Sequence, residues 1–136
     1  MTRYIALIDG SAGAYGIVFP DLPGCTAMGT TIEQSISNAA AALHDWIEIK
    51  TEHGDPIPGP RALENLRKEP EVIEALAEGS TLVTIPYIHA TGKPKKANLS
   101  LDAGILDAID EAAEKRNLTR SAFIEFLARQ FLPQIN

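Results

Sequence analysis

The sequence predicts an α+β chain made of two unlike modules. Residues 1–90 read as a small sheet carrying one long helix, residues 91–94 as a linker, and residues 95–136 as a strand–helix–helix unit. Three observations predict this division. Short β-rich runs separated by turn residues precede a single long helical periodicity. Apolar periodicity lapses at Thr91-Gly92-Lys93-Pro94. Charge is also unevenly shared: of the net −6, residues 1–92 hold five basic and twelve acidic groups (−7), and residues 93–136 hold seven and six (+1).

Composition bounds the answer further. With 136 residues, 45% of them apolar and 22% charged, a packed fold is expected rather than disorder. A lone cysteine cannot form an internal disulfide, no run of about 18 apolar residues exists, and the N-terminus lacks a secretory layout. The expected compartment is a reducing cytoplasm.

Arg3 to Ile8 is β-rich, Asp9-Gly-Ser-Ala-Gly-Ala14 supplies turn residues, and Tyr15 to Phe19 is a second strand, so the pair reads as a hairpin. A third short strand is expected over Thr26 to Met28. Thr30 and Glu33 have capping-box spacing. The helix they open places Ile32, Ile36, Ala39, Ala40, Leu43 and Ile47 at intervals of three and four, and Gly54 followed by Pro56 closes it. Its roughly twenty residues at about 1.5 Å each are enough to cross a small sheet. Pro60 starts a second helical stretch with Leu63 and Leu66; Pro70 interrupts it, and Ile73, Leu76 and Ala77 continue it to a cap at Gly79. Thr81 to Ile88 reads as a final strand, which Pro86 confines to an edge or an end. The long helix on one face of the sheet is the simplest packing.

In the second module Ala97, Leu99 and Leu101 alternate with Lys96, Asn98 and Ser100. Asp102 can cap a helix bearing Ile105, Ile109, Ala112 and Ala113, released near Asn117. Thr119 can cap another bearing Ala122, Phe123, Ile124, Leu127 and Phe131, which stops before Pro133. A unit this short buries too little surface to stand alone and holds no Cys or His, so a second chain is the expected stabiliser. A lone half-apolar strand would also find its ladder partner in the same strand of that chain.

The run Lys96-Ala-Asn-Leu-Ser-Leu101, the Asp102 helix and the Leu118-Thr119-Arg120-Ser121 helix start resemble a ribbon-helix-helix DNA-binding domain over roughly residues 95–133. The resemblance implies a homodimer whose paired strands enter a major groove. Lys96, Asn98 and Ser100 would read bases there, and Thr119, Arg120 and Ser121 would hold phosphates at a helix N-terminus. Many members of that family carry Arg where Ser100 stands, so base reading would lean on Asn98 and Lys96.

Phe19-Pro-Asp-Leu-Pro-Gly-Cys25, then Gly29-Thr30, Glu33 and an Ala-rich helix reaching Trp46, resembles the HicB antitoxin family over about residues 3–88. That resemblance implies a partial RNase-H-like fold and, in some members, a C-terminal ribbon-helix-helix. It also implies a partner toxin, HicA, a small basic ribonuclease, and an antitoxin that represses its own operon; dimers can pair further into tetramers. An acidic body suits a basic partner. The toxin-contacting residues are not legible. The alternative function is a stand-alone ribbon-helix-helix regulator whose N-terminal domain binds a protein or a ligand.

No enzyme is expected. An RNase-H-like fold directs attention to Asp9, Asp21, Glu33, Asp45 and Glu48, with His44 nearby, as holders of two divalent metals. Each reads more simply as a turn, cap or solvated residue. His44, His53 and His89 lack metal-ligand spacing, and no phosphate loop or nucleophile triad is present, so neither metal nor cofactor is expected. Cys25 reads as a small buried hydrophobe, and Trp46 as a core or interface residue.

Overall fold

A computed structural model, which describes residues 1–135, divides into two compact units, Met1–Ala90 and Thr91–Ile135. In the first, β1 (Arg3–Ser11), β2 (Ala14–Val18), β3 (Thr26–Gly29) and β4 (Thr81–Pro86) form one antiparallel sheet in the order β3-β2-β1-β4. The expected six-residue turn between β1 and β2 contracts to Ala12-Gly13. The strands continue pairing to Ser11 and Ala14, and Asp9 lies within β1 opposite Gly16. Pro86, which has no amide proton to donate, ends the edge strand β4.

Helix α1 (Ile32–Glu52) packs on one face of the sheet. Its start lies one residue beyond the expected capping box. Thr31 is the N-cap and accepts the Gln34 amide, while Gln34 Oε1 accepts from the Thr30 amide at 2.7 Å and from the Thr30 hydroxyl at 2.8 Å. Glu33 is an exposed first-turn acid, favoured there by the helix dipole. Two adjacent threonines and an amide that serves as well as a carboxylate allow both frames. The chain adopts the second, and beside it β3 meets α1 where only glycine fits: a Cβ on Gly29 would lie 2.6 Å from Ser35 Oγ.

The core interleaves Tyr4, Ala6 and Ile8 of β1, Ile17 of β2 and Ile85 of β4 with Ala39, Ala40, Leu43 and Ile47 of α1. Phe19, Leu22 and Cys25 complete it, and Trp46 packs against its margin. Ile32 stays largely exposed, whereas Ser35 and Ser37, absent from the predicted stripe, are buried. Between α1 and β4 the single interrupted helix becomes two, α2 (Leu63–Leu66) and α3 (Pro70–Ala77). Pro70 opens α3 at N1, where its missing amide costs no hydrogen bond. Val72 rather than Ile73 is the buried residue of α3.

The second unit contains α4 (Ala103–Lys115), α5 (Arg120–Phe131) and a 3₁₀ turn (Leu132–Gln134). Asp102 caps α4 through the Ile105 amide at 3.1 Å, and Thr119 caps α5 through the Ala122 amide at 3.1 Å. Asn117, at φ 55, ends α4 in a Schellman turn: Leu118 N donates to Ala113 O at 2.9 Å and Asn117 N to Glu114 O at 3.0 Å. Ala113 and Phe123 are buried, and the Phe123 and Phe126 rings stack at 6.0 Å. The expected strand over residues 97–101 is absent, and the whole segment is exposed. A strand exists only through ladder bonds to another strand, and nothing in the described chain pairs with these residues.

Candidate functional site

The Pro-Asp-Leu-Pro-Gly-Cys run is a pair of consecutive turns. Leu22 N donates to Phe19 O at 3.1 Å across Pro20-Asp21, and Cys25 N donates to Leu22 O at 3.0 Å across Pro23-Gly24. Proline at the second position, followed by Gly24 at φ 89, is the pattern of a type II turn. The turns drive Phe19, Leu22 and Cys25 into the core as they redirect the chain into β3. Burial pushes the Cys25 thiol up to about 11, which makes it a poor nucleophile.

Asp21 lies in the first of these turns, as expected of a turn residue, but its side chain is buried. Its side chain is 2% exposed and pairs with the Arg61 guanidinium through Nε, and its other oxygen accepts the Arg61 amide at 3.0 Å. Arg61 Nη1 reaches Glu69 at 2.9 Å, so one arginine ties the β2–β3 turns to the segment that enters α3. The hydrogen bond to Asp21 raises the Arg61 pKa further. Tyr4 donates its hydroxyl to Pro58 O at 2.8 Å; its pKa is raised mainly by burial and then by the Asp21 charge. This network closes over 40 residues of sequence, and no local pattern announces it.

The other carboxylates considered for nuclease chemistry do not form one cluster with Asp21. Asp9 sits in β1, Glu33 at the first turn of α1, and Asp45 and Glu48 on its solvent side. Spacing alone did not single out one grouping that the fold produces. His44 Nδ1 lies 3.3 Å from Asp45 Oδ1 and 3.9 Å from Glu48 Oε2, an arrangement close enough for three ligand atoms to reach one ion. Both carboxylates are exposed, and an i,i+4 pair on a helix surface forms without any ion. On its other side the imidazole stacks with Tyr87, whose hydroxyl lies 2.8 Å from His89 Nδ1.

In the second unit Lys96, Asn98 and Ser100 are exposed, and so are Leu99 and Leu101 between them. Thr119, Arg120 and Ser121 are also exposed at the start of α5. The amides of Arg120 and Ser121 point out of the first turn and have no helical carbonyl to bond. The Arg120 side chain has a partner, however. Its Nε and Nη2 donate to the two oxygens of Asp110, each at 2.8 Å. Each partner favours the charged form of the other, which lowers the Asp110 pKa and raises that of Arg120. Among the described residues no helix is long and apolar enough to cross a membrane.

Comparison with known proteins places this arrangement among relatives. The family profile of HicB-like antitoxins of bacterial toxin–antitoxin systems matches residues 4–128. An uncharacterized 14.9 kDa protein from the rep–hol intergenic region of Haemophilus phage HP1 is 29% identical over 127 residues, spanning 92% of this chain and 93% of that protein. The crystal structure of the antitoxin HicB from Burkholderia pseudomallei is 26% identical, with a TM-score of 0.56 over 95% of this chain and 97% of its own. A chain of the HicA3–HicB3 toxin–antitoxin complex is also 26% identical, with a TM-score of 0.54 over 64% of this chain and 99% of its own.

Proposed function

The chain belongs to the HicB-like antitoxins of bacterial toxin–antitoxin systems, and from that membership we propose that it neutralises a small, basic HicA-like ribonuclease with residues 1–90 and represses its own operon with residues 95–133. One observation carries the first half: the likeness of 64% of this chain to 99% of a chain from a complex between a HicA and a HicB protein. The −7 charge of residues 1–92 supports it physically. A carboxylate-rich surface accelerates encounter with a basic partner and occupies groups that would otherwise hold RNA phosphates. Inhibition is then steric and electrostatic, without turnover.

The second half rests on the unpartnered side of the second unit. Leu99, Leu101, Ile105 and Phe131 are exposed apolar residues on a unit with few buried ones. Pairing residues 96–101 with the same residues of a second copy would satisfy their backbone groups and cover those side chains. The opposite face of the ribbon presents Lys96, Asn98 and Ser100 to a major groove: Asn98 for the paired contact to adenine, Ser100 as donor or acceptor, and Lys96 for guanine or phosphate. Thr119, Arg120 and Ser121 meet phosphate at the α5 N-terminus through hydroxyls and backbone amides.

Co-expression with the neighbouring open reading frame tests the whole reading. The expected result is co-purification with a basic protein of fewer than about 100 residues, rescue of growth from that protein, and retention of the promoter-proximal duplex on the complex. Toxicity that co-expression leaves unchanged would refute the antitoxin half, and failure to retain the duplex would refute the repressor half.

A further inference from the structure

Every basic side chain in the helices of the second unit is already engaged. Lys115 pairs with Glu111 at 3.2 Å, Arg129 pairs with Glu125 at 3.7 Å, Arg116 lies over the Phe126 ring at 4.8 Å, and Arg120 is held by Asp110. Lys93 and Lys95, ahead of the reading segment, and Lys96 within it make no ion pair among the described residues. Three of these four cations thus face a carboxylate, whereas the lysines beside Asn98 do not.

The Arg120 contact differs in kind from the others. Lys115 and Arg129 make ordinary i,i+4 pairs within one helix. Arg120 instead reaches back across the Asn117 turn to the third turn of α4 and makes two parallel bonds, both at 2.8 Å. The same fork suits a phosphate as well as a carboxylate. A guanidinium with Nε and Nη2 occupied cannot offer that edge to DNA. The pair is also open to solvent, with side-chain exposures of 55% and 42%, where an ion pair contributes little to holding two helices together.

We propose that Asp110 is a specificity-determining residue that withdraws the Arg120 side chain from phosphate binding, so that sequence-independent attraction to DNA stays low and the lysines and Asn98 of the reading segment dominate. The inference rests on the DNA-binding reading above. An arginine at the first position of α5 would otherwise add one phosphate contact per protomer to any duplex, whatever its sequence. That would raise affinity for random DNA and dilute discrimination.

The test uses the full chain and a fluorescent 40-base-pair duplex of mixed sequence, with anisotropy titrations from 50 to 200 mM KCl. Asp110→Asn should steepen the slope of log K against log[KCl] by about 0.9 for each arginine released, roughly 1.8 for a dimer, and tighten binding at 50 mM about tenfold or more. Adding Arg120→Gln to Asp110→Asn should return the slope to the wild-type value. An Asp110→Asn slope equal to wild type overturns the proposal. So does a double variant that keeps the steeper slope, which would trace the change to the lost Asp110 charge and not to Arg120. Absence of binding by the wild-type chain even at 50 mM KCl overturns the DNA-binding reading, and the proposal with it.

Discussion

Leu99 offers a quantitative test of the paired ribbon. In the single chain it is 62% exposed, although it alternates with polar neighbours in the pattern of a half-buried strand. Full burial of a leucine is worth about 1.5–3 kcal/mol, so pairing has about 1–2 kcal/mol still to gain at this position in each protomer. A two-fold dimer carries the residue twice. Leu99→Ala, which keeps only one methyl group, should therefore weaken the dimer by about 2–3 kcal/mol, or about 30- to 150-fold in Kd. Sedimentation equilibrium of the full chain over a dilution series reads this directly. Ser100→Ala, on the opposite face, serves as a control that should leave Kd unchanged. Equal dimerisation by Leu99→Ala and wild type would refute the argument, as would a wild-type chain that stays monomeric at tens of micromolar.

Four further outcomes are expected. Asn98→Ala should cut discrimination between operator and random duplex by about 1–3 kcal/mol with the dimer intact; equal weakening on both duplexes in the same titration would contradict base reading. Truncation after Gly92 should abolish operator retention while preserving toxin neutralisation, and a folded fragment that fails to neutralise would move the toxin surface to the other half. Leu43→Ala, at a site with no solvent exposure, should lower stability by about 2–5 kcal/mol in urea titrations monitored by circular dichroism, and a loss below 1 kcal/mol would mean that the core collapses around it. Cys25, with its thiol pushed up to about 11 from an ordinary 9.0, should hold about a hundredfold less thiolate at pH 8 than an exposed cysteine. Native protein should thus react slowly with an aromatic disulfide reagent and rapidly once unfolded; fast native labelling would contradict its burial.

How much was legible in the sequence followed from how locally each feature is encoded. Asp102 and Thr119 cap the helices they precede because a cap needs only a side-chain oxygen and an amide three residues on. Pro23-Gly24 turns the chain because the two residues carry their own φ preferences. The same logic misses by one residue at Thr30–Thr31, where two equivalent local solutions exist and the helix starts from the second. It misses again at residues 70–77, where Pro70 begins a helix and Val72 rather than Ile73 faces inward.

Family membership and the alternation of structured elements were therefore determined by the sequence itself, through the Pro-Asp-Leu-Pro-Gly-Cys run and a periodic helix, each of which acts over a few residues. Tertiary structure alone decided what lies between distant residues. Asp21 becomes a buried anion because Arg61, 40 positions later, arrives to pair with it, and a carboxylate is buried only when such a partner is present. Arg120 meets Asp110 because the Asn117 turn brings the start of α5 beside α4. Residues 97–101 remain without a strand because strand formation depends on a second segment, and the described chain supplies none.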